Sequence, residues 1–169
     1  MYPKTTLRPQ DAEEIEELRR SMAHVLTEWT KDASDVTTPI PNLKFYRFEN
    51  PTRPDYCMLE PSASLVIQGT KRALLGDDAY AYNINRFLIT SLDLPSMMHI
   101  VEATPAKPYL GLMLKLDLRV LSEVMLQSGF TQPARSPSER GMFLGETTPT
   151  LLKEFSRLVN LLPCLFWRR

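Results

Sequence analysis

The chain has 169 residues, 43% hydrophobic and 24% charged, enough for one globular domain with its own core and short for two. Lysine plus arginine number 20 and aspartate plus glutamate number 20, so the formal net charge is zero. Gripping nucleic acid through its phosphates calls for a basic surplus that is missing here, and no apolar run approaches the roughly 18 residues of a membrane span.

Asp11 followed by Glu14 forms a capping pair ahead of a helical pattern. Ile15, Leu18, Met22, Val25 or Leu26, and Trp29 then recur at spacings of three and four, which predicts an amphipathic helix of about five turns. His24 sits beside that stripe and reads as a surface residue. The helix is expected to stop between Thr30 and Ser34, because Pro39 and Pro41 forbid its continuation.

From Leu43 to Leu116 the period changes to two. LKFYRF, YCML, SLVIQ, KRALL, AYAY, RFLITSL, MMHIVEA and YLGLMLKL are short runs rich in branched and aromatic residues, separated by turn formers. Gly76 to Asp78 is a hairpin turn. In the last run Leu110, Leu112, Leu114 and Leu116 face one way, and Tyr109, Gly111, Met113 and Lys115 the other. About eight short, mostly antiparallel strands imply a barrel or a two-sheet jelly roll.

Asp117 caps a further helix through LRVLSEVMLQS, with Gly129 as its stop. Thr131 to Glu139 is polar and proline-bearing and reads as a loop. Thr148-Pro149 opens a last helix, with proline at the first position, where its missing N–H does no harm. Leu151, Leu152, Phe155, Leu158, Val159 and Leu162 make a wide apolar stripe on it. Two apolar helices are more cover than one barrel needs. Either both pack on the sheet or on each other, or one surface is an interface, with a symmetric homodimer as the default.

Nucleophile elbows, glycine-rich phosphate loops and HExxH are missing. The chain holds two histidines, His24 and His99, too few for a histidine metal set; His99 with Glu102 or Asp93 has poor ligand count and spacing. His99 shares a strand face with Met97 and Val101 and has two readings, a partly buried histidine bonded to backbone or a polar anchor in an apolar ligand pocket. Gln68 admits the same two. Met97, Met98, Met113, Met125 and Met142 are core or an adaptable pocket lining. Lys71-Arg72 and Arg168-Arg169 read as solvated surface charge.

Cys57 and Cys164, far apart and without CxxC spacing, suit unpaired thiols in a reducing compartment. The N-terminal stretch lacks the apolar core of a secretory signal, so a cytoplasmic location is expected.

The ordered runs TPIPNLKFYR, EPSASLVIQGTKRALLGDDAYAYNINRFLITSLDLP and EATPAKPYLGLMLKLD resemble the N-terminal domain of AraC-type bacterial transcriptional regulators. The matching positions are Pro39, Ile40 and Pro41, then Glu60-Pro61, Gln68-Gly69, Lys71-Arg72 and Gly76. Tyr80 or Tyr82, Ser91, Asp93 and Pro95 follow, and then Glu102, Pro105, Pro108, Tyr109 and Asp117. RGMFLGETTPTLLKEFSRLVNLL is similar to the family's small loop and late helix. Asn83-Ile84-Asn85 departs from the family's turn of the Asp-Pro-Gly kind, an exchange that asparagine's tolerance of left-handed backbone makes reasonable.

The resemblance implies a mainly β fold with flanking helices: a cupin-like antiparallel β-barrel over residues 37–117, preceded by a helical segment over 1–36 and followed by helices over 118–169. It implies a non-enzymatic module without cofactor or metal, which binds a small-molecule effector and dimerises. PCLFWRR at the chain end is unlike the family's continuation, so the helix-turn-helix region is expected to be missing from this chain, and DNA binding to belong to a longer parent protein. The expected ligand-facing residues are Gln68, Met97, His99 and Tyr109; the expected dimer contacts are Leu121, Met125, Leu152, Phe155 and Val159. The alternatives are a cupin-type metal enzyme and a ligand-free dimerisation scaffold.

Overall fold

Among the described residues, ten strands and three helices are laid out as two facing antiparallel sheets, with two of the helices on one outer side. The computed structural model describes residues 9–129 and 141–162, with side chains from residue 12 onward. The segment 131–139, Cys164, the Arg168-Arg169 pair and the Asp11 side chain lie outside what is described.

The larger sheet has at its centre β2 (Leu43–Phe48), β9 (Tyr109–Lys115), β4 (Ser62–Gln68) and β7 (Arg86–Thr90), side by side in that order. Short β1 (Asp35–Thr37) extends it beside β2, and β10 (Met142–Glu146) beside β7. The smaller sheet runs β3 (Asp55–Leu59), β8 (Leu94–Glu102), β5 (Thr70–Leu75), β6 (Asp78–Asn83). Apart from the β5–β6 hairpin, which stays within the smaller sheet, consecutive strands from β2 to β9 switch sheets in the interlaced order of a double-stranded β-helix, so the topology itself is a cupin-like jelly roll. All eight coincide with the runs legible in the sequence. β1 and β10 were not foreseen there.

Each turn follows its residue chemistry. β5 and β6 are joined by Gly76-Asp77, with Gly76 at φ 59, the positive value that the first position of a tight hairpin turn of the II′ kind requires. The β6–β7 connection is closed differently from the sequence expectation. Asn83 and Asn85 do not use left-handed backbone; the Asn83 side chain accepts a hydrogen bond from the Asn85 N–H at 3.0 Å.

Helix α1 (Pro9–Trp29) starts before the expected cap, so Asp11 lies within its first turn. It buries Ile15, Met22, Val25 and Leu26, leaves His24 exposed, and ends where expected. α3 (Pro149–Val159) is capped by Thr148, whose hydroxyl accepts from the Leu151 N–H. Both helices lie on the outer face of the larger sheet, and Lys153 of α3 pairs with Glu14 of α1 at 2.9 Å. Their stripes close over Leu43, Phe45, Leu65, Ile67, Leu110 and Leu112 in one core. A second core lies between the sheets around Val66, Ala73, Tyr82, Leu88, Ile100, Tyr109 and Met142. The larger sheet is therefore buried on both faces, and the leucine row of β9 faces the helices while Tyr109 and Gly111 face the barrel.

That packing corrects the interface expectation. Leu152, Phe155 and Val159 are 1%, 7% and 0% exposed inside the chain's own core, so they have no surface left to offer a partner. α2 (Leu118–Gln127) is the opposite case. Asp117 caps it by accepting from the Arg119 and Val120 N–H groups, Gly129 follows its end at φ 64, and none of its residues is buried.

Candidate functional site

The two sheets meet at a corner where β4 turns into β5. Gly69 makes that corner at φ 85, and a Cβ there would stand 2.5 Å from the Glu102 carbonyl oxygen, so only glycine lets the strands approach. Pairing shifts by one residue on both sides of it, between Val66 and Gln68 and between Thr70 and Lys71. The β6–β7 turn and the β8–β9 connection come to the same end of the barrel, and α1 passes over it. Between helix and corner lies a cleft of about 580 Å³, lined among others by Arg19, Arg20, Gln68, Asn83, Glu102 and Lys107. Gln68 Nε2 donates to the Pro108 carbonyl at 2.6 Å and ties the corner to the β8–β9 loop. Thr70 donates its hydroxyl to Glu102 at 2.5 Å.

Behind the corner the barrel interior is aromatic and weakly polar. Tyr109 is almost fully buried, lies across Gly111, and has Phe48 at 6.3 Å between ring centroids, tilted by 50°. Cross-strand pairing with Ile100 and Tyr82 turns Lys71 inward, and its Nζ sits 5.3 Å from the centroid of the Tyr46 ring. Lys71 is thus no solvated surface charge. Its pKa is lowered, chiefly by burial, against the opposing pull of Cys57 and Asp35. Burial pushes the Tyr46 hydroxyl up to about 12, with Asp35 and Cys57 adding to it, and raises Tyr82 and Tyr109 as well. Cys57 is a free thiol whose pKa burial also raises, which keeps it protonated and a poor nucleophile. The space between the sheets is a packed core into which three tyrosine hydroxyls and one amine are set.

The four residues expected to face a ligand are placed differently. Gln68 lines the cleft and Tyr109 the barrel interior. Met97 and His99 do neither. Strand alternation sets them on the outer face of the smaller sheet, across from exposed Tyr56 and from Arg72, while Met98 and Ile100 take the inner positions. His99 is half-buried there and its Nδ1 has no hydrogen-bond partner, so neither backbone bonding nor a pocket anchor describes it. Among the described residues no three His, Cys, Asp or Glu side chains come together as a metal set. Three cleft cations escaped sequence reasoning, Arg19, Arg20 and Lys107. Arg19 lies in the charged run EEIEELRR, and only its place beside the apolar stripe sets it apart.

Residues 39–164 match the family model described as AraC-type transcriptional regulator N-terminus. No curated protein matches the chain in sequence. Among solved structures, ToxT from Vibrio cholerae is similar at a TM-score of 0.48 and 11% identity, over 69% of this chain and 46% of that one. ToxT bound to (E)-4-(8-methylnaphthalen-1-yl)but-3-enoic acid gives 0.49 and 12%, over 70% and 46%. A cupin-2 domain protein from Shewanella frigidimarina gives 0.35 and 8%, over 49% of this chain and 80% of that one. The chain thus spans less than half the length of the ToxT chains it resembles.

Proposed function

We propose a function from a plain premise: this chain belongs to the family of AraC-type transcriptional regulator N-termini. The chain is the effector-binding and dimerisation part of such a regulator. It takes up a small molecule at the barrel and passes the bound state to the DNA-binding helices of a full-length protein. It works by binding, without catalysing a reaction. The family match over residues 39–164 supports this reading, and the cleft at the Gly69 corner is the proposed place of uptake. An effector acts only through a difference in affinity between two arrangements of the protein.

A second copy is the proposed partner of α2. Leu118, Val120, Leu121, Val124 and Leu126 are exposed on this one capped helix, with Met125 half-exposed beside them. Leu118, Leu121 and Met125 fall on one side at helical spacing, as the seam of a two-fold helix pair requires. Native mass spectrometry together with thermal melting against a metabolite panel tests both halves of this function. A dimer that a small molecule stabilises supports them. A chain that remains monomeric and that no compound stabilises removes them.

A further inference from the structure

We propose that the cleft between α1 and the Gly69 corner is an anion site, and that its ligand carries a phosphate or carboxylate on a small hydroxylated frame. The proposal rests on the reading of the domain as an effector binder and names the chemistry that the effector would bring.

Arg19 is its centre. From the middle of α1 the side chain crosses to the β6–β7 turn, where Nη2 donates to the Ile84 carbonyl at 2.5 Å. Its Nε is buried and has no acceptor. Native proteins rarely leave a buried donor unmade, and an oxygen arriving in the cleft removes the deficit. Burial lowers the Arg19 pKa while nearby Glu16 raises it, yet a guanidinium remains charged at any physiological pH. It therefore stands as a partly desolvated cation with a donor in want of an oxygen.

The rim adds to this. Arg20 and Lys107 line the same cleft and are exposed, so it carries three cations against the two carboxylates of Glu16 and Glu102. One of these carboxylates, Glu102, is already engaged by the Thr70 hydroxyl. Guanidinium groups bind carboxylate and phosphate through paired, charge-assisted hydrogen bonds. Asn83, Asn85 and Thr104 bring neutral polar groups to the lining, partners for hydroxyls on the rest of the molecule. A volume of about 580 Å³ is in the range of small-molecule sites.

The test titrates the chain at low salt with glycerol 3-phosphate, glycerate and, as a neutral control, glycerol, read by calorimetry and by backbone amide shifts. The expected result is binding of at least one of the two anions without binding of glycerol, and the preferred anion separates a phosphate ester from a carboxylate. Arg19→Met should weaken binding roughly tenfold or more. Arg19→Met also removes the bond to Ile84, so Arg20→Met and Lys107→Met, at exposed positions, provide variants that leave the fold alone and weaken binding a few-fold. Arg53→Met, exposed and outside the cleft, should bind as the unaltered chain does. Absence of binding by either anion, or affinities that no cleft variant changes, would overturn the anion site. The effector reading survives that result if a neutral compound still raises the melting temperature, and falls only if no metabolite does.

Discussion

Tyr109 closes over Gly111 so tightly that a methyl group on Gly111 would stand 2.3 Å from the Tyr109 hydroxyl oxygen and 2.8 Å from Cζ. The two residues share a strand and the barrel-facing side, so the tyrosine folds back along its own strand and the glycine is the floor beneath it. Gly111→Ala should dislodge the ring from its place beside Phe48 and cost about 1–3 kcal/mol, as overpacking of a full core does. Gly69→Ala should cost more, because its Cβ meets backbone, the Glu102 carbonyl, and because φ 85 is unfavourable for alanine. Urea unfolding of both variants checks the order; a reversed order would count against the corner as the tighter constraint.

The two C-terminal helices should answer mutation in opposite ways. Leu152→Ala removes a fully buried side chain and should cost about 2–5 kcal/mol. Leu121→Glu with Met125→Glu, on a helix without a single buried residue, should leave the unfolding midpoint nearly unchanged and turn a dimer into a monomer. Sedimentation velocity beside urea denaturation separates the two effects. A Leu121/Met125 variant that keeps its dimer mass would move the interface elsewhere.

Much of the fold was legible in the residues, and the limits have physical causes. Eight strands could be read because each is a short branched or aromatic run between turn formers, and both late helices because Asp117 and Thr148-Pro149 are explicit starts. Which side of β9 faces the barrel could not be read, since a sheet covered on both faces shows apolar residues on both. The same double burial hid the difference between α2 and α3, whose apolar stripes look alike until one is seen packed and the other open. β10 escaped because MFLGE is five residues with a glycine inside; that glycine is needed, as the Phe87 ring covers Gly145. Met97 and His99 were assigned to the right strand and the wrong wall. Arg19 was out of reach, because nothing local separates an arginine that bridges to a turn from its solvated neighbours.

The buried tyrosines predict an alkaline transition. Tyr46, with its pKa raised from 10 to about 12, is neutral in the fold at pH values where the unfolded chain has already ionised. The native state then holds more protons than the unfolded one, so its contribution is complete below pH 10 and lost as pH rises towards 12. Tyr82 and Tyr109 are shifted in the same direction and reinforce it. Phenolate absorbance should therefore show these three ionising together with loss of structure. Smooth ionisation of every tyrosine near pH 10 in a folded chain would contradict their burial.

Lys71 has the opposite sign. Its folded-state pKa is lowered, so the charged form burdens the fold at neutral pH, and the burden lifts as pH climbs towards the unfolded value of 10.5. Lys71→Met keeps much of the side chain's bulk on Tyr46 and should raise stability at pH 7 by about 1 kcal/mol, a gain that shrinks as pH rises. Melting temperatures of both proteins between pH 7 and pH 10 check it. A less stable variant at every pH would show that the contact with the ring outweighs the cost of burying the charge.

Strand β9 is one thin partition between two tenants. Tyr109 packs in the core between the sheets and Leu110, the very next residue, is wedged under the helices on the other side. Close-packed interiors transmit displacement because they have no slack to absorb it. Any displacement of Tyr109 therefore shifts the seat on which α1 and α3 rest, and the two cores are coupled within the length of a single peptide bond.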